Sequence, residues 1–137
     1  MFQERAGVAL LALLACALPA AAAHAADAAP RALRSCVACH TFDKGGHSKI
    51  GPNLWGIAGA KATHDPNYGK YGDDFLAAAA TGLTWTDANL DAYIAEPLGF
   101  LREVLGKRAV RTYMVTRVPR EADRAAILDY LKSLKDD

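Results

Sequence analysis

Sulfur is scarce in this chain: its 137 residues include three cysteines and two methionines. One methionine is the initiator and Cys16 lies in a leading apolar stretch, so the body of the protein keeps only Cys36, Cys39 and Met114. That is too few thiols for a zinc knuckle, because His47 and His64 stand in glycine-rich sequence without a second paired motif. No segment sustains the alternation of a half-buried strand, which argues against a sheet and against the βαβ setting of a thioredoxin-type Cys-x-x-Cys. Internal repeats are missing, and the alanines near the start are the only low-complexity stretch. Net charge is only +1. With no aromatic residues interleaved in a larger basic patch, nucleic acid is not an expected partner.

The start of the chain has the layout of an export signal. A short charged stretch, Met1 to Arg5, precedes an apolar run from Val8 to Leu18, then Pro19 and a run of alanines. Ala23-His24-Ala25 offers small residues at the two positions a signal peptidase reads, which predicts cleavage after Ala25. Residues 1–25 are therefore read as a signal peptide and 26–137 as one domain, exported to the periplasm. The apolar run is too short to span a bilayer as a mature helix. Leu13-Leu14-Ala15-Cys16 loosely looks like a lipobox, but cutting there would strand apolar sequence in the mature chain.

Cys36-Val37-Ala38-Cys39-His40 carries the chemistry. Two thiols three residues apart on a helical turn share a face, so both sulfurs can add to the vinyl groups on one edge of a porphyrin. His40 then lies beneath the iron as an axial ligand, at the point where the chain is already tethered. Thioether bonds to one haem c consume both thiols, which suits an oxidising compartment. Disulfide chemistry is the remaining reading of the same pair. A domain of this size buries only part of its surface unaided, and a covalent cofactor adds to its core.

The rest of the pattern is helical. The sequence predicts a helix over Ala28 to Cys39 with Pro30 in an early turn position, then a long irregular loop from Thr41 to Tyr71, punctuated by glycines, Pro52, Pro66 and Asn67. A loop of that length is expected to wrap something. Further helices are predicted over Asp73 to Ala80; over Thr86 to Ala95, with Thr86 as N-cap and Leu90, Tyr93 and Ile94 on one face; from Pro97, with Leu98, Leu101 and Leu105 on one side; and over Arg120 to Leu134. Glu121 and Asp123 near the start of the last helix, and Lys132 and Lys135 near its end, favour its dipole. The fold class is all-α. Lys107, Arg108, Arg111, Arg117 and Arg120 form a basic stretch, while Asp73, Asp74, Asp87 and Asp91 gather earlier, so the molecule is expected to be a dipole.

Taken in order, Cys36-Val37-Ala38-Cys39-His40, Gly51-Pro52-Asn53-Leu54-Trp55-Gly56, Trp85-Thr86-Asp87, Tyr93, Pro97, Met114 and Leu128-Asp129-Tyr130-Leu131 resemble a class I cytochrome c. The long stretch between Pro97 and Met114 is most similar to the periplasmic shuttles of purple and denitrifying bacteria. The resemblance spans the mature chain and implies several helices and long loops around one haem. It implies His40 and Met114 as axial ligands, with the Pro52 carbonyl accepting a hydrogen bond from the His40 nitrogen that does not bind iron. Trp85, Tyr71 and Thr112 would donate to haem propionates, and Tyr93 would lie near the Met114 sulfur, in an apolar pocket made by Leu54, Leu90 and Ile94. Rivals for the sixth position are His47, His64 and an open site.

Three departures accompany the resemblance. Ala60 stands where a basic residue is common, Tyr113 precedes the methionine in place of lysine, and Ala28 and Ala32 replace the usual glycine and aromatic of the first helix, so that Leu33 and Tyr130 are expected to repack the crossing with the last helix. The implied function is one-electron transfer without catalysis, by a monomer meeting redox proteins that have acidic docking surfaces. Membrane cytochrome complexes, terminal oxidases and a photosynthetic reaction centre are such partners. The competing reading is a haem sensor or enzyme subunit with an open or labile sixth site.

Overall fold

A computed structural model describes residues 31–136. The signal expected over residues 1–25, Ala28 and Pro30 lie outside the described residues. A short 3-10 helix, Arg31–Ser35, comes first, followed by α1 (Asp73–Ala80), α2 (Asp87–Ala95), α3 (Pro97–Leu105) and α4 (Glu121–Ser133). The described residues contain no strand, only an isolated bridge between Lys61 and Thr84. The fold is all-α, as its patterning requires.

Thr86 caps α2, its hydroxyl accepting from Asn89 N at 3.2 Å, and Leu90, Tyr93 and Ile94 are all buried. Pro97 opens α3, where its missing N–H costs nothing. Gly106 closes the same helix at φ 61°, a left-handed position that glycine adopts without strain. Ile127, Leu128 and Leu131 bury one stripe of α4, and Leu134 continues it past the helix end.

Two elements depart from the sequence reading. The first is a 3-10 helix of five residues, continued by turns, in place of a helix reaching Cys39. Leu33 is its one buried side chain, so it has an anchor and no apolar stripe. The Leu33 carbonyl is shared between Cys36 N at 2.8 Å and Val37 N at 3.1 Å, which tightens the turn. In α3 the buried face is Pro97, Phe100 and Leu101, with Leu98 and Leu105 only half-buried. Phe100 turns inward because its ring completes an aromatic cluster, 5.6 Å from Tyr93 and 6.2 Å from Trp85 between centroids.

The 3-10 helix packs on α4, and α2 packs on α3 and α4. Leu33 is 1 % exposed at the first of these contacts, while the Tyr130 ring meets Phe42 edge-on at 5.8 Å. The long segment between Cys39 and α1 is irregular but pinned. Gly59 N donates to Trp85 O at 2.8 Å, Trp85 N to Ala60 O at 2.7 Å and Ala62 N to Leu83 O at 3.0 Å. Gly56 N donates to Leu134 O at 2.7 Å, tying the same loop to the end of α4.

Candidate haem-binding site

Loops and helices enclose a cavity of about 510 Å³, a volume in the range of cofactor pockets. Cys36, Cys39, His40, Pro52 and Leu54 line it from the first loop, and Thr112, Tyr113 and Met114 from the segment after α3. Tyr71, Trp85, Tyr93 and Ile94 also face it. Leu33, Ala62, Phe75, Ile127 and Leu131 complete its apolar wall. Those five escape sequence reasoning because apolar residues in helices, or in the loop at Ala62, serve equally for an ordinary core. Leu90, expected in the wall, is 2 % exposed but sits behind it, outside the cavity lining.

The Cys36 to His40 segment forms a single turn. Cys39 N donates to Cys36 O at 3.0 Å and His40 N to the same oxygen at 3.0 Å, which brings both thiols and the imidazole to the cavity. Both cysteines are free, and burial pushes the Cys36 thiol up, with Ser35 offsetting part of the effect. A raised thiol pKa is the reverse of what thiol–disulfide catalysis needs. Nor do the described residues hold a group of three or more His, Cys, Asp and Glu able to bind a metal ion on their own.

His40 Nδ1 donates to Pro52 O at 2.7 Å, leaving Nε2 as the ring nitrogen with a free lone pair. Burial holds His40 below its ordinary pKa, against the opposing pull of the Pro52 carbonyl, so the neutral ring required of a ligand is favoured. Gly51 makes room for it. A Cβ there would stand 2.8 Å from His40 Nδ1 and 3.0 Å from Nε2. The Met114 segment is fixed at both ends, with Arg111 N donating to Asp74 Oδ2 at 2.8 Å and Val118 N to Ile94 O at 2.8 Å. Met114 itself is half-buried against the core.

Of the rival ligands, His47 is exposed and does not line the cavity. His64 does line it, with Nε2 donating to Asn53 O at 2.6 Å. Two buried polar atoms on the wall, Tyr71 Oη and His64 Nδ1, find no hydrogen-bond partner among the described residues. The Tyr71 hydroxyl is a donor without an acceptor, and a carboxylate carried by a bound cofactor supplies one, whereas His64 Nδ1 is the acceptor nitrogen of a ring whose proton is on Nε2. Burial pushes the Tyr71 hydroxyl up to about 12, against the pull of the nearby Asp65 backbone, which falls short of hydrogen-bonding geometry. Burial likewise pushes Tyr93 up to about 12, against the pull of the Thr112 hydroxyl, so both phenols remain donors at neutral pH. The Trp85 indole N–H is engaged by Ala62 O at 3.2 Å, and the Thr112 hydroxyl donates to Met114 O at 3.3 Å. Both expected propionate donors thus already have protein partners, and Thr112 steadies the Met114 segment. The wall fits haem: two thiols and an imidazole on one turn, a thioether, apolar sides and an unpaired phenol donor.

Comparison with known proteins gives the same answer. No family model matches the chain. Over 102 residues, 74% of this chain and 90% of its relative, it is 40% identical to cytochrome c2 of Rhodospirillum rubrum. It is 38% identical over 105 residues to cytochrome c-550 of Novispirillum itersonii, covering 91% of that protein. This chain belongs to the class I cytochromes c. The solved structure of cytochrome c2 from Rhodospirillum centenum superposes with a TM-score of 0.71 at 31% identity, covering 77% of this cytochrome and 93% of that chain. The cytochrome is an electron carrier with one covalently bound haem c.

The charge distribution is less polar than the sequence suggests. Asp87 pairs with Lys132 at 3.0 Å and Asp91 with Arg124 at 2.8 Å, while Asp74 accepts the Arg111 amide. Half of the acidic group is thus paired with cations of α4. In the basic stretch, Arg117 pairs with Glu96 and Arg120 with Asp123. Lys107, Arg108 and Arg111 have no ion-pair partner among the described residues. Ile50, Tyr113 and Val115, at 72%, 75% and 78% exposure, stand at the cavity mouth. No helix among the described residues is long and apolar enough to cross a membrane.

Proposed function

We propose that this cytochrome is a periplasmic one-electron shuttle whose haem is bonded to Cys36 and Cys39 and ligated by His40 Nε2 and Met114 Sδ. The observation that carries the reading is the convergence on one cavity of Cys36, Cys39, the Pro52-oriented His40 and Met114. Bound there, haem c supplies a ferric/ferrous couple. The protein's part is to hold that couple still. Pro52 fixes the His40 tautomer and ring direction, and the pins at Asp74 and Ile94 hold the Met114 segment. Ligands held this way need not move between oxidation states, which keeps reorganisation small. Tyr71 is the donor in this reading that meets a propionate, in place of the basic residue missing at Ala60.

Docking follows from the mouth. Ile50, Tyr113 and Val115 give it an apolar centre, Arg111 lines the same cavity, and Lys107 and Arg108 shortly before it in the chain add positive charge without an ion-pair partner among the described residues. Such a face suits weak, salt-sensitive encounters with redox proteins that present acidic surfaces, among them membrane cytochrome complexes, terminal oxidases or a reaction centre. The chain is read as a monomer, transferring electrons without catalysing a reaction.

The test is the absorption spectrum of the purified protein in both oxidation states, with its mass. The shuttle reading expects a mass above the bare polypeptide by one haem, the weak far-red band of methionine-to-ferric-iron charge transfer, and slow cyanide binding. Loss of that band with rapid cyanide binding would establish the open-site alternative. A mass equal to the bare polypeptide would end both.

A further inference from the structure

A buried carboxylate stands one peptide group away from His40. Asp65 is 8 % exposed, yet it has no cationic partner among the described residues other than the adjacent His64, whose burial favours the neutral ring. Its Oδ2 accepts from Asn53 N at 3.0 Å and from the Ser48 hydroxyl at 2.6 Å, and its Oδ1 accepts from Asn67 N at 3.0 Å. The amide that donates from Asn53 N is the same peptide group whose carbonyl, Pro52 O, accepts from His40 Nδ1 at 2.7 Å. A continuous chain therefore runs from the Asp65 carboxylate through the Pro52–Asn53 amide to the imidazole. Hydrogen bonds in series polarise one another, and an anion on the N–H side of an amide increases the negative charge on its oxygen.

The amide is held against rotation. Asn53 Nδ2 donates to Thr41 Oγ1 at 2.9 Å and to Asp43 O at 2.9 Å, while Asn53 Oδ1 accepts from Trp55 N at 2.7 Å. The Asn53 carbonyl accepts from His64 Nε2. Neither end of the chain of bonds can swing away without breaking several others.

We propose that Asp65 is a positioning residue for electron transfer, acting through the Pro52–Asn53 peptide group to make His40 a stronger donor to the metal and thereby to set the reduction potential. The proposal rests on the haem reading above and adds to it a residue that does not line the cavity. Its sign is fixed. A more electron-rich imidazole stabilises the ferric state, so Asp65 lowers the potential. Ser48 draws on the same carboxylate oxygen that Asn53 N uses, so it attenuates the effect.

The experiment measures the reduction potential of the haem-loaded protein and the paramagnetically shifted NMR resonances of the His40 ring in Asp65→Asn, Ser48→Ala and Asp73→Asn. Asp73 is an exposed carboxylate that lines the cavity without bonding to this peptide, so it reports the through-space loss of one charge. Asp65→Asn is expected to shift the ferric/ferrous equilibrium about tenfold toward ferrous, which is about 59 mV upward for one electron, to exceed the shift of Asp73→Asn, and to move the His40 resonances. Ser48→Ala keeps the charge and is expected to shift the potential downward, with His40 moving in the opposite sense. Because it retains the carboxylate, it decides the matter even where Asp65→Asn folds poorly. A normal haem spectrum with unmoved His40 resonances, or potentials shifted the same way in both variants, overturns the relay and leaves the shuttle reading intact. A missing haem spectrum in the parent protein would instead remove the reading on which it rests.

Discussion

Gly51→Ala is the sharpest perturbation available, because one methyl group is directed at the ring that matters. The added Cβ would overlap the His40 ring and lie 2.8 Å from Nδ1, where it meets a rigid side chain and no flexible tip. The ring has to turn or the loop has to shift, and either breaks the 2.7 Å bond to Pro52 O. Overpacking of this kind costs about 1–3 kcal/mol and the lost hydrogen bond about 1 kcal/mol more, or about 2–4 kcal/mol together. For a domain of this size each kcal/mol moves the melting temperature by about 4–8 °C, so a loss of at least about 8 °C is expected. The assay is thermal unfolding of the haem-loaded protein by circular dichroism, with the reduction potential measured alongside. The potential should rise as His40 loses its orienting partner. Gly69→Ala is the control, since a Cβ there meets nothing within 4 Å and its φ is not in the left-handed range. A Gly51→Ala melt indistinguishable from that control would refute the account of how His40 is seated.

Further outcomes follow from the same geometry. Met114→Ala should abolish the far-red charge-transfer band and admit cyanide rapidly; cyanide binding as slow as in the parent would transfer the sixth position to another side chain. Tyr71→Phe removes one orphan donor from the wall, and in the haem-loaded protein it should cost about 1 kcal/mol in a denaturant melt, an unchanged midpoint contradicting a propionate contact. Burial holds His64 below its ordinary pKa, so the folded state favours the neutral ring. The unfolded chain takes up that proton near pH 6.5 while the folded one resists, so this stabilisation is present above about 6.5 and fades as pH falls through the folded value. His64→Gln should therefore flatten the loss of stability between neutral and mildly acidic pH, and parallel profiles would count against it. Replacing Lys107 and Arg111 with glutamate should slow association with an acidic redox partner at low salt and leave the haem spectrum alone, with the difference vanishing as salt screens it.

The motif at Cys36 to His40 was legible because its spacing has few other uses, the helix over 87–95 because its Thr86 cap and apolar stripe agree, and the helix over 121–133 because its apolar stripe agrees with acidic residues in the first turn and a lysine in the last. The α3 face was misjudged because periodicity weighs Leu98 and Phe100 alike, whereas the cluster with Trp85 and Tyr93 recruits only Phe100. Trp85 was read as a donor to the cofactor from its type and place. The Ala62 carbonyl that engages its indole depends on how the 59–62 and 83–85 segments pair, which no local pattern encodes. Asp65 and Ser48 went unnoticed for the same reason, since they meet across seventeen positions of irregular loop. The separated charges foreseen from the sequence were partly cancelled by Arg124 and Lys132, residues that α4 brings to α2.

The two segments that bear the ligands are held by polar pins at their ends. Arg111 and Val118 amides anchor the Met114 segment, and Gly51 N donates to Cys39 O at 2.8 Å beside His40. Each such bond is worth about 1 kcal/mol net, too little to hold a loop alone against its conformational entropy. In the proposed reading, ligation at both ends of the cavity would close that deficit by removing freedom from the same residues, so that loop order and axial bonding would stabilise each other. On that reading the weaker axial ligand would be Met114, a neutral thioether on a segment with Tyr113 and Val115 exposed on either side of it, and it is where the molecule would open first. His40, backed by Pro52, Asn53 and Asp65, would stay bound while it does.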